Sequence, residues 1–148
     1  MPSLPPRSPF DAIAHEHAHF EPSLAAAAAA AKRLAGDRRN RRALDQARSA
    51  WRFIRVHALP HMRYEEAVLF PRAMERGAPE GLIGLLTEEH EALRGLAEAL
   101  RPLDGTPDAA EVPEGVAVAL SRFVERFDAH LAKEEDLLAT LARAGALG

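Results

Sequence analysis

Cysteine is absent from the 148 residues, which excludes disulfide frameworks, thiolate metal sites and cysteine nucleophiles. Any metal must therefore be held by nitrogen and oxygen. Residues that favour strands are scarce, since Val, Ile and Thr number twelve against 31 alanines, a balance that suits helices. Long apolar runs are missing too: the longest, Leu24 to Ala31, is mostly alanine and falls short of the ~20 apolar residues of a membrane span. Neither sign of charge dominates. A net charge of −3 and a pI near 6.2 give no general attraction for nucleic acid or an anionic membrane, and the cluster Arg38, Arg39, Arg41 and Arg42 reads as a solvated helix face. Phosphate-binding glycine loops and the G-x-S-x-G elbow do not occur. Met1 to Pro9 carries four prolines and no apolar stretch of a signal peptide. The expectation is a short disordered arm over residues 1–9, one domain over 10–148, and a cytoplasmic location.

What is present is helix punctuation. Glycine and proline divide the chain into four helical segments: about Phe10 to Ala35, Asp37 to Arg76, Glu80 to Arg101, and Pro113 to Ala144. Asp37 is placed to cap the second, and Pro113 to open the fourth. Pro22 is expected to kink the first segment and Pro60 to bend the second. Short connections between helices of similar length favour antiparallel neighbours, so the predicted fold is all-α, an up-down-up-down four-helix bundle.

Periodicity then assigns the inward faces. In the first helix Ile13, His17, Phe20 and Leu24 form one stripe, which turns His15 and His19 outward. The third helix repeats the pattern with Leu82, Leu86, His90, Leu93 and Leu100, and the fourth with Leu120, Phe123, Phe127, His130, Glu134, Leu137 and Leu141. In the second, Phe53, His57, His61, Glu65 and Val68 or Leu69 share one side if Pro60 bends the helix without rotating it. The halves repeat: Glu16-His17 matches Glu89-His90 at an offset of 73 residues, and His61-x-x-x-Glu65-Glu66 matches His130-x-x-x-Glu134-Glu135 at 69.

Two carboxylates and four imidazoles on apolar faces each carry a desolvation cost of several kcal/mol unless paired, protonated or coordinated. Divalent ions would satisfy them together. Six donors exceed a closed tetrahedral zinc site, and two ions bridged by Glu65 and Glu134 would each receive two histidines. Imidazole with carboxylate suits iron first, with manganese, cobalt or zinc as alternative occupants. The opposite balance, more carboxylates than histidines with Glu-x-x-His spacing, would have indicated a ferritin-like centre.

The run Leu59-Pro60-His61-Met62-Arg63-Tyr64-Glu65-Glu66-Ala67-Val68-Leu69-Phe70-Pro71, echoed by His130 to Leu138, resembles the H-x-x-x-E-E-x-x-L-F-P element of hemerythrin-like HHE cation-binding domains. The resemblance covers about Phe10 to Ala144. It implies a non-haem di-iron centre, carboxylate- and oxo- or hydroxo-bridged, with His17, His61, His90 and His130 as imidazole ligands and Glu65 and Glu134 as bridges. Oxygen-carrying relatives use a fifth histidine on the third helix, but here Leu86 and Arg94 flank His90 by one turn. His57 is the candidate replacement. Glu66 and Glu135 stand either as outer groups or as alternative ligands, and Tyr64 either packs or hydrogen-bonds a bridging group. The expected function is binding or sensing of O₂, of a related small ligand, or of iron itself. The alternatives are a di-iron enzyme acting on peroxide or NO, and a metal-stabilised structural or partner-binding bundle.

Overall fold

Ser8 caps the first helix by accepting a hydrogen bond from the Asp11 N–H at 3.2 Å, with Pro9 just inside, where its missing donor is not needed. A computed structural model describes residues 8–107 and 110–145. The expected N-terminal arm lies outside the described residues except for Ser8 and Pro9, and Pro9 already belongs to the helix. Helix α1 spans Pro9–Gly36 and runs through Pro22. Asn40, not Asp37, caps α2 (Arg41–Phe53), accepting from the Ala43 N–H at 3.0 Å, while Asp37 accepts from the Arg39 N–H.

The second segment continues through α3 (Leu59–Tyr64) and α4 (Phe70–Glu75), joined by two wide π turns, Ile54–Ala58 and Glu65–Leu69. Each π turn ends two residues before a proline, Pro60 or Pro71. The Leu59 N–H reaches back five residues to Ile54 O, and the Phe70 N–H to Glu65 O. Pro60 and Pro71 can neither donate to the carbonyl four residues back nor approach it closely. The extra residue in the preceding turn widens the helix there and lets it continue. Gly77, at φ +98, turns the chain out of α4 in a conformation that side chains resist. Helix α5 (Glu80–Glu98) ends short of the expected Arg101, which instead begins a 3₁₀ turn, Arg101–Asp104, before α6 (Glu114–Arg143).

Helix α1 packs along α2 and α6, and α5 along α6. The α1–α2 and α5–α6 loops meet at one end, where the Val112 N–H donates to Arg38 O at 2.9 Å and Arg38 pairs with Glu111 at 2.9 Å. Two alternate connections at the same end are what an up-down-up-down bundle requires. Among the described residues, no helix is long and apolar enough to cross a membrane.

The core is divided. A larger apolar cluster, from Phe20 and Phe127 up through Leu34, Trp51, Phe123 and Leu103, fills the end with the paired loops. A smaller one, including Phe10, Ile13, Phe70, Leu86 and Leu141, fills the other. Between them lies a buried polar layer. Trp51 anchors the larger cluster while its Nε1–H donates to Asp104 at 2.7 Å, tying α2 to the 3₁₀ turn. Phe123 is fully buried whereas Val118 is half exposed. Phe123→Ala is therefore expected to lower unfolding free energy by about 3–5 kcal/mol in denaturant titration, and Val118→Ala by less than about 0.5 kcal/mol.

Candidate metal centre

The polar layer is made of His17 from α1, His61 from α3, Glu65 from the second π turn, His90 from α5, and His130 and Glu134 from α6. All six are between 0% and 6% exposed. They fall into two groups of converging donor atoms, His17, His61, Glu65 and Glu134, and Glu65, His90, His130 and Glu134. Both groups share the two carboxylates, and each carboxylate divides its oxygens between them. Glu134 Oε2 lies 3.0 Å from His17 Nε2 and 3.9 Å from His61 Nε2, and Glu65 Oε2 lies 3.4 Å from His61 Nε2. On the other side Glu65 Oε1 lies 3.1 Å from His90 Nε2 and 3.9 Å from His130 Nε2, while Glu134 Oε1 faces His130 Nε2 closely and His90 Nε2 at 3.8 Å.

Proximity does not satisfy these atoms. Nε2 of His17 and of His61, Oε2 of Glu65 and both oxygens of Glu134 are buried without an aligned hydrogen-bond partner. Native interiors rarely leave such groups orphaned, and a cluster of orphaned nitrogen and oxygen donors aimed at common points fits coordination of a cation. Comparison with known proteins points the same way: the family described as Hemerythrin HHE cation binding domain matches residues 8–142. The chain belongs to that hemerythrin family. No curated protein and no solved structure matches it. The HHE bundle and its buried His/Glu groups are compatible with cation binding.

Every histidine of this hemerythrin-family cluster also turns its outer ring nitrogen toward a carboxylate on another element. His61 Nδ1 hydrogen-bonds with Glu16, and His130 Nδ1 with Glu89 at 2.9 Å. His90 Nδ1 faces Glu66 at 3.3 Å and His17 Nδ1 faces Glu135 at 3.5 Å. Carboxylates in this position fix ring orientation and tautomer and raise the basicity of the inner nitrogen. The two halves differ in what lies beyond. Glu66 is held by Arg94 and Glu89 by Lys133, whereas the Glu16 and Glu135 side chains are 46% and 62% exposed and, among the described residues, meet no lysine or arginine. Burial raises Glu66 and Glu89, but hydrogen bonds from Arg94 and from Lys133 with His130 bring both below the ordinary carboxylate value.

The sequence stripes placed six of the seven candidate ligands in one layer, and His57 is the correction. It is exposed on the surface, its ring 5.9 Å from that of Phe53, and belongs to neither donor group. The first π turn inserts a residue between Phe53 and His61, so Ala58 takes the buried position and His57 is rotated out. Glu66 and Glu135 lie outside the donor groups and face imidazole Nδ1 atoms instead. Tyr64 is 37% exposed, so it does not pack in the core. Glu16 and Glu89 were missed as functional groups. Their signal was the repeated Glu-His dipeptide, but only the fold shows that each glutamate serves a histidine of the neighbouring helix and not its own neighbour in sequence.

Burial disfavours charge on the imidazoles, yet the close approach of the Glu134 and Glu65 carboxylates outweighs it and pushes His61 and His130 up to about 10. Burial likewise works against a charged Glu134, but its polar contacts with Glu65 and with the imidazoles of His130, His17 and His61 hold it well below its ordinary value. The raised histidines stabilise the cation-free fold fully below their unfolded value of 6.5, and that stabilisation is lost as pH rises toward 10. The lowered Glu134 contributes above 4.5 and is lost as pH falls through its folded value. Chelator-stripped protein should therefore melt highest between about pH 4.5 and 6.5, with Tm declining from there to pH 10. A Tm that stays level or rises over that alkaline range contradicts the assigned protonation.

Proposed function

We propose that this HHE bundle holds two non-haem iron ions and uses them to bind dioxygen or a related small ligand, as a carrier or sensor. The observation that supports two ions over one is the division of the carboxylate oxygens: both Oε2 atoms face the His17 and His61 pair, and both Oε1 atoms face the His90 and His130 pair. Glu65 and Glu134 would bridge, and each pair of imidazoles would complete one ion. The donor set of imidazole and carboxylate without thiolate suits iron, with manganese or zinc as substitutes. Bound iron would supply a redox-active Lewis acid with room for a small ligand.

The chain's own contribution is rigidity and dryness. His61 stacks edge-on against Phe20 with ring centroids 5.0 Å apart, and His90 lies parallel to Phe70 at 5.4 Å. These rings exclude water from the donors and strengthen every charge interaction among them. Glu16 and Glu89 hold His61 and His130 in orientation. With the six residues almost wholly enclosed, the cluster suits a ligand of two or three atoms, not a bulky substrate.

Anaerobic loading with iron(II) should give about two irons per chain. Exposure to air should then produce near-ultraviolet absorption that reverses on degassing. Rapid oxygen evolution from added hydrogen peroxide, with no reversible spectrum, would favour a peroxide-consuming enzyme. Glu65→Ala and Glu134→Ala are expected to lower both iron content and the Tm of the loaded protein, while His57→Ala changes neither; equal iron content in all three contradicts the ligand assignment.

Loading must also displace the protons that His61 and His130 carry at neutral pH. Calorimetry at pH 7 in buffers of different ionisation enthalpy should report release of roughly two protons or more per chain. Uptake without proton release would place the ions elsewhere.

A further inference from the structure

The outer face of α1 carries a second pair of imidazoles, independent of the buried cluster. His15 and His19 are both exposed and one helical turn apart. Their Nε2 atoms lie 3.1 Å from each other, with the rings edge to face and centroids 4.5 Å apart. The His17 side chain between them in sequence points to the opposite side, into the core. Among the described residues neither outer ring has another hydrogen-bond or ring partner.

The separation of the two nitrogens fits a chelate. Metal–imidazole bonds are ~2.0–2.1 Å, so nitrogens 3.1 Å apart subtend roughly 100° at an ion held equally by both. That lies between the right angle of square-planar or octahedral geometry and the wider tetrahedral angle. The spacing is fixed by the backbone of α1, which continues for several turns beyond His19 and is not a frayed end. A hydrogen bond between two neutral rings needs an Nε2–H on one and a free Nε2 on the other; when an ion takes both Nε2 atoms, that proton moves to Nδ1 of the same ring, so both rings serve as neutral donors, with water completing the shell. Asp11 stands one turn before His15 on the same line of the helix and adds a negative charge nearby.

We propose that His15 and His19 form a solvent-facing bidentate site for one borderline divalent cation, copper(II) most strongly, with nickel(II) and zinc(II) following. The site is separate from the buried donors and does not depend on what fills them. Because both rings project into solvent from a regular helix, their replacement by asparagine leaves the packed faces of α1 unchanged.

The test is a copper(II) titration of the full chain after its core has been saturated with zinc, followed by calorimetry and by electron spin resonance for nitrogen coupling. Wild type should show a step with two imidazole nitrogens on copper. His15→Asn and His19→Asn should each weaken that step on the order of tenfold or more, because the second donor no longer acts intramolecularly. His57→Asn, which removes an exposed imidazole belonging to neither donor set, should leave the step in place. Unchanged isotherms in both His15→Asn and His19→Asn overturn the proposal, as does loss of the step in His57→Asn.

Discussion

Two carboxylates and four imidazoles occupy the middle of an alanine- and leucine-rich bundle, and the rest of the structure follows from how that burial is made tolerable. Placed in an apolar interior without compensation, each group would cost several kcal/mol. Here they meet, so that a shared positive charge, protons in the stripped protein or cations in the loaded one, serves all six at once. Protonation is an incomplete answer, since it leaves the inner nitrogens of His17 and His61 and both oxygens of Glu134 without aligned partners. Coordination answers the same need at the same atoms.

The surrounding architecture holds those six heads in place. Apolar clusters above and below keep the layer dry. Four outer carboxylates, Glu16, Glu66, Glu89 and Glu135, face the outward ring nitrogens, so each histidine is oriented from a neighbouring element. The halves repeat in the inner donors but diverge beyond the outer carboxylates, where Arg94 and Lys133 offset charge only around His90 and His130. The field on the two sides of the shared carboxylates is thus unequal, although the inner donors are alike in kind and number.

Most of this could be read from spacing. The stripes through His17, His90 and His130 with Glu134 fall on regular α-helices, where one period links every apolar position to the next, and those assignments needed only the four-helix topology to converge. The second arm was harder because its prolines do not act as breaks. Each is preceded by a π turn, which shifts the register by a residue, so a constant helical period brings His57 into line with His61 when the real helix turns it out. Local chemistry also left two caps open for α2: Asp37 and Asn40 are both good N-cap residues, and the loop geometry chose Asn40. The outer carboxylates were the least legible, since pairings such as Glu16 with His61 exist only after distant segments pack.

The most direct test of the central claim is anomalous X-ray diffraction from crystals of the iron-loaded protein, recorded on both sides of the iron edge. The account predicts two anomalous peaks about 3.5–4 Å apart, one against His17 and His61, the other against His90 and His130, with Glu65 and Glu134 reaching both. One peak alone, or iron bound away from these six side chains, would contradict it.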